Sequence, residues 1–203
     1  MTITTAVDGI VEWLNKEVCP NLWFKCPPDD QEPDDDDYEY KLVHPVAFPL
    51  FIPPVDLLPE GKDINAPSIC VTLMQGSDNC VQKDRRLDIS LSFCVWNPGE
   101  YVEDWLNPDG KERNGKSAEG WRDLWNFIDY TAQKIQSATY IGGLEVMRQN
   151  DWQYGPYRQA SMDTRYAQEQ ISDYPLWFGF YRFQLRCALL PNNPDIEKML
   201  GRI

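Results

Sequence analysis

Histidine is almost absent from this chain of 203 residues, which holds one, His44. A multi-histidine metal centre is thereby excluded, and His44 stands beside Pro45 with no nucleophile motif near it. Basic residues are scarce as well, 19 Lys and Arg against 32 Asp and Glu, and the net charge of −13 excludes a nucleic-acid binder working through a basic face. No long hydrophobic run is present. The longest charge-free apolar stretch near the N-terminus, Leu42 to Val55, is too short to span a bilayer and holds Pro45, Pro49, Pro53 and Pro54. A mean hydropathy of −0.52 also argues against a membrane protein. The first residues, MTITTAVDGIVEWLNKEV, carry Asp8 and Glu12 and lack a basic n-region, so no signal peptide is expected and the cytoplasm is the default compartment.

Catalytic signatures are missing too. G-x-S-x-G, G-x-x-x-x-G-K-[ST] and G-x-G-x-x-G do not occur. Carboxylate pairs such as Asp84 with Asp88, or Glu100 with Glu103, have nothing near them to split their pKa values. Six cysteines form no C-x-x-C pair. Cys70, Cys94 and Cys187 sit in apolar runs as small hydrophobes, and a Cys19–Cys26 pairing is disfavoured in a reducing compartment. No catalytic set, metal or cofactor is expected.

What the chain does hold is a globular composition, 42% hydrophobic and 13% aromatic, sufficient for a single domain over residues 1–203. Residues 27–66 form an acidic loop and a proline-rich strap within it. The loop, Asp29 to Glu39, carries eight acids and no base, so −13 less these eight leaves only −5 for the rest of the chain. Calcium would suit adjacent carboxylates, but the EF-hand order and its glycine are missing, so a solvated, self-repelling loop is expected. In the strap, prolines recur about every four residues and exclude helix and central strand. It reads as an extended strap across a sheet edge or as a partner-docking arm.

Elsewhere the periodicity is plain. Thr5 can cap a first helix with Val7, Ile10, Val11, Leu14 and Val18 on one face, stopped by Pro20. Ser68 to Gln75 alternates as a strand, the loop GSDNCVQKDR follows, and Leu87, Ile89, Leu91, Phe93 and Val95 share one face of a second strand. Ser117 can cap a long helix whose stripe is Trp121, Leu124, Trp125, Ile128, Ala132 and Ile135, with the tryptophan pair in the core. Gly142-Gly143 precedes a strand over Leu144 to Arg148. The last strand, YPLWFGFYRFQLRCAL, puts Trp177, Tyr181, Phe183, Leu185, Cys187 and Leu189 on one face, and a short tail helix over Asp195 to Leu200 can close the chain. The expected fold is α+β, an antiparallel four-stranded sheet with helices packed on one face, in the order α-β-β-α-β-β.

The hairpin P-S-I-C-V-T-L then L-D-I-S-L-S-F-C-V-W-N, the helix start G-W-R-D-L-W-N-F-I and the step Y-P-L-W-F-G resemble, in that order, the tail-terminator and tail-completion proteins of long-tailed bacteriophages and prophages. Gly120, Asp123, Leu124, Asn126, Ile128, Pro175, Trp177 and Gly179 match that pattern, and the resemblance spans Pro67 to Leu190. It implies a non-enzymatic ring subunit, hexameric on assembly, that caps the tail tube and meets the head connector in the virion neck, with DNA only passing through the lumen. The acidic loop and strap depart from the pattern, which leaves terminator, head-tail joining component and other neck protein open. Trp105, Trp152, Tyr154 and Tyr157 lie on expected loops, so they are candidates for the subunit interface or for packing on their own loops. An acidic DNA mimic and a small-molecule hydrolase or binding module are the rival classes.

Overall fold

The computed structural model describes residues 1–26, 40–51, 66–99, 101–102, 115–116, 120–148, 151–156 and 175–189. Helix α1 runs Ile3–Glu17. Its cap is Thr2, whose hydroxyl accepts from the Thr5 N–H at 3.1 Å, so the helix starts three residues before the expected Thr5. Val7, Ile10, Leu14 and Val18 are buried as their spacing requires. Pro20 falls in a single 3-10 turn, Cys19–Asn21, that follows the helix.

Short strands β1 (Phe24–Cys26) and β2 (Lys41–Val43) form an antiparallel ribbon. His44 next to it donates from Nδ1 to the Leu22 carbonyl at 2.7 Å and stacks on Trp23, a local fastening. Strand β3 (Val46–Pro49) runs parallel to β4 (Ser68–Asn79), and β4 turns back into β5 (Asp84–Trp96). Two-residue strands β6 (Tyr101–Val102) and β7 (Gly115–Lys116) pair with each other. Helix α2 (Gly120–Ser137) precedes β8 (Tyr140–Ile141), β9 (Leu144–Val146), β10 (Gln153–Pro156) and β11 (Leu176–Ala188).

Seven of these strands make one mixed sheet in the order β3-β4-β5-β11-β9-β8, with β10 on β11 beside β9. Strands β9 and β10 both run antiparallel to β11 and share its edge, at Leu185–Arg186 and Gly179–Arg182 respectively. Helix α1 touches β3 and β4 at one margin and β8 at the other, so the sheet curls around it. The core fills this concave side. Ile10 and Leu14 of α1 and Phe127, Ile128 and Ile135 of α2 cover Leu87, Ile89, Leu91, Phe93 and Val95 of β5 together with Tyr181, Phe183 and Leu185 of β11.

The expected four-stranded antiparallel sheet in the order α-β-β-α-β-β is therefore wrong. The sheet has seven strands, one pairing is parallel, and two further two-stranded ribbons stand beside it. Strands of two to four residues are too short for an alternation to register in sequence, and β3 is a four-residue part of the strap, paired at a sheet edge, while residues 52–65 lie outside the described residues. The expected loop GSDNCVQKDR is mostly strand, because β4 continues to Asn79 and β5 starts at Asp84. The polar extension is held by the Arg85 guanidinium on both Asp78 oxygens at 2.7 and 2.8 Å, and the turn by Asn79 Oδ1, which accepts from Val81 N and Gln82 N. Of the tryptophan pair of α2, Trp125 packs half-buried against the core as expected, but Trp121 is 46% exposed, and the buried stripe turns toward Phe127 and Thr131. The acidic loop, the proposed Ser117 cap and the tail helix lie outside the described residues.

Candidate assembly interface

Seven of the eight residues singled out by the sequence pattern meet where α2 crosses the start of β11. Gly120 opens α2 against the Trp177 indole, and a Cβ there would stand 2.0 Å from Nε1, so only glycine fits without moving the ring. That indole N–H donates to the Asn97 carbonyl at 3.0 Å. The Asn97 side chain donates to Asp123 Oδ2 at 2.6 Å, and its backbone N–H donates to the Pro175 carbonyl at 3.0 Å. Gly179 gives room to Ile128 and Leu124, whose Cδ1 atoms would lie 2.9 and 3.3 Å from a Cβ at that position. Asn126, the eighth, is exposed. The pattern is thus a device for seating one helix on two strands. Asn97, its hub, was not among the sequence candidates; N-P-G after β5 is legible as a turn, but nothing in the spacing ties it to Asp123.

Of the four expected interface residues, Trp105 and Tyr157 lie outside the described residues. Trp152 is half-buried, donates its indole N–H to the Met147 carbonyl at 3.2 Å and stands edge-on to Tyr181 with centroids 6.0 Å apart. Tyr154 is in strand β10 rather than a loop, opposite Tyr181, and is 61% exposed. Its ring meets Trp125 edge-on at 6.1 Å. Trp121, one turn before Trp125, extends this aromatic margin along the outer flank of α2. A surface with half-exposed Trp and Tyr over a buried base is the composition that interfaces favour.

Burial pushes the Tyr181 hydroxyl up to about 12, with the Gln136 side chain opposing and Tyr154 adding slightly. Burial likewise pushes the Cys94 thiol up to about 12. Both groups are held neutral by the fold, so their contribution is fully present below the unfolded pKa values of about 10 and 8.5. It is lost as pH rises toward 12. Urea unfolding measured as a function of pH is expected to show falling stability over this alkaline window, with Tyr181→Phe flattening the part above pH 10. A Tyr181→Phe profile with the wild-type slope would contradict the assignment.

All six cysteines are thiols, and Cys19 and Cys26 are both buried. Among the described residues no three His, Cys, Asp or Glu side chains gather as a metal site, and no helix is long and apolar enough to cross a membrane. No protein-family model matches the chain, and no curated protein does.

Proposed function

We propose that this chain is a non-enzymatic structural subunit of a long-tailed phage or prophage, a ring protein that caps the tail tube and joins it to the head connector. The observation that carries this reading is the convergence of the pattern residues. Gly120 and Asp123 of α2 and Pro175, Trp177 and Gly179 at the start of β11 build one helix-to-sheet junction through Asn97. Exposed Tyr154 and Trp121 add a surface of the kind that head-to-tail contacts between copies require. The subunit would act in the virion neck after folding in the host cytoplasm, with DNA passing through the lumen without lasting contact. The acidic DNA mimic is less favoured, because eight of the acids are gathered in Asp29 to Glu39 instead of being spread over a folded surface.

Native mass by light scattering, with negative-stain images over a concentration series, tests the reading. The expected product is a closed ring with a central hole, near 142 kDa for six copies of 23.6 kDa. A tight two-fold dimer that never closes into rings would turn the assignment toward the mimic or a binding module. Where the free chain stays monomeric, the same images are taken with tail tubes added, and failure to cap them counts against the reading. Deleting Asp29 to Asp37 then asks whether the acidic loop lines the lumen: ring assembly and DNA passage unchanged by the deletion would remove it from that role.

A further inference from the structure

One margin of the large sheet is plugged over part of its length and bare over the rest. Along β3 the Asn15 side chain of α1 acts as a substitute strand: its amide donates to the Ala47 carbonyl at 3.0 Å, and its Oδ1 accepts from the Ala47 N–H at 2.9 Å. Immediately beyond, β3 leaves the sheet. Leu50 still donates its N–H to the Val71 carbonyl at 2.8 Å, but Phe51 bonds back to the Pro49 carbonyl at 2.7 Å around Leu50, whose φ is 63°. This is a γ-turn of the strained hand, held by a residue that gains nothing from it locally. It peels the chain from β4 and leaves Leu50 and Phe51 exposed.

The consequence is a free edge. β3 pairs with β4 only over Ser68–Val71, so Thr72 to Asn79 has a strand on one side alone among the described residues. Met74 through Asn79 are all exposed. Because Pro67 and Val71 turn their carbonyls toward β3, alternation aims the main-chain groups of Leu73 outward as well. Met74 is the extra residue of a bulge, since Leu73 pairs with Ile89 and Gln75 with Asp88. Beyond it, Gly76 and Asp78 take the outward positions. The strip has neither proline nor lysine, the usual edge blockers. The hairpin that carries it is neutral: Asp78, Asp84 and Asp88 balance Lys83, Arg85 and Arg86, on a chain of net charge −13.

We infer that the free edge of β4, Thr72 to Asn79, is a docking site for an edge strand of a second copy of this chain. Two copies of net charge −13 repel one another, and this edge of a neutral hairpin, with its outward main-chain donors and acceptors, is where they can meet. The exposed Leu50, Phe51 and Met74 side chains flank the contact and add apolar area to it. The inference extends the ring reading by naming its contact, and rests on it only for the head-to-tail direction.

Gly76 allows a test at the main chain. Its φ lies outside the left-handed region, and a Cβ there would meet the Leu87 Cδ2 at an ordinary 3.4 Å, so Gly76→Ala keeps both the fold and the outward N–H. Gly76→Pro removes that N–H without touching the ladder to β5. Met74→Lys places a charge at the bulge with no main-chain change, which keeps the test decisive if the proline variant fails to fold. Light scattering over a concentration series should find Gly76→Ala associating like wild type, and Gly76→Pro and Met74→Lys associating at least about tenfold more weakly. Circular dichroism confirms that each variant is folded. Rings that persist in both variants overturn the inference and leave the ring reading standing. A two-fold dimer lost in both upholds the β4 contact and overturns the ring. A wild-type chain that is monomeric across the series overturns the inference, leaving the ring reading to assembly on tail tubes.

Discussion

Gly142→Ala is expected to destabilise the fold by about 2–5 kcal/mol, read as a lowered urea midpoint with an unchanged slope. Two costs add. Gly142 has φ 56°, a conformation that costs an alanine about 1–2 kcal/mol. Its Cβ would also stand 2.5 Å from the Gly9 carbonyl carbon and 2.8 Å from Gly9 O and Ile10 N. Those are main-chain atoms in the middle of α1, so no side chain can swing aside, and the helix itself must move off the β8–β9 turn. Gly143→Ala separates the two terms. Its φ of 82° carries the conformational cost, but the only near atom is the Met1 Cε at 3.0 Å, the end of a flexible side chain. It should lose about 1–2 kcal/mol. Equal losses at the two positions would show that α1 does not press on Gly142.

That contact marks the limit of what the sequence could convey. Gly142-Gly143 is legible as a break between helix and strand, and both glycines do occupy left-handed positions there. Their distance from Gly9, 133 positions earlier, leaves no trace in local pattern. The same division runs through the fold. Five alternating apolar residues of β5 announce their strand, and Leu87, Ile89, Leu91, Phe93 and Val95 are all buried. The first helix is equally plain, because Ile10, Leu14 and Val18 repeat at its period. The strand count failed where pairing rather than pattern makes the strand. Val46–Pro49 is held by its neighbour β4, and the polar Gly76 to Asn79 by Arg85 across the hairpin. At the candidate interface, residue type pointed to Trp152 and Tyr154, but their shared base, Tyr181, comes from a distant strand. Among the described residues the free edge of β4 is wholly a product of topology: it exists because β3 stops at Pro49.

Helix α2 offers the sharpest contrast between pattern and packing, and Phe127→Ala against Trp121→Ala measures it. Phe127 is fully buried, with its ring 4.7 Å from that of Phe24 and 5.0 Å, edge-on, from that of Phe93. It joins the β1 ribbon to the central strand, so its removal opens a cavity bounded by three separate elements. The expected loss is about 3–5 kcal/mol. Trp121 heads the apolar stripe that the sequence displays, and by transfer arithmetic a core tryptophan there would cost as much. Its exposure of 46% predicts instead a loss within about 1 kcal/mol. The reason is a rotation of the helix by about 50° from the stripe, at 3.6 residues per turn, which brings Phe127 and Thr131 inward. Thr131 tolerates that burial because its hydroxyl donates to the Phe127 carbonyl at 2.8 Å. In the proposed ring, Trp121 stands on the interface margin with Trp125 and Tyr154. Trp121→Ala should therefore leave the unfolding midpoint nearly unchanged while weakening assembly. Equal destabilisation by the two substitutions would put Trp121 back in the core and remove it from the interface.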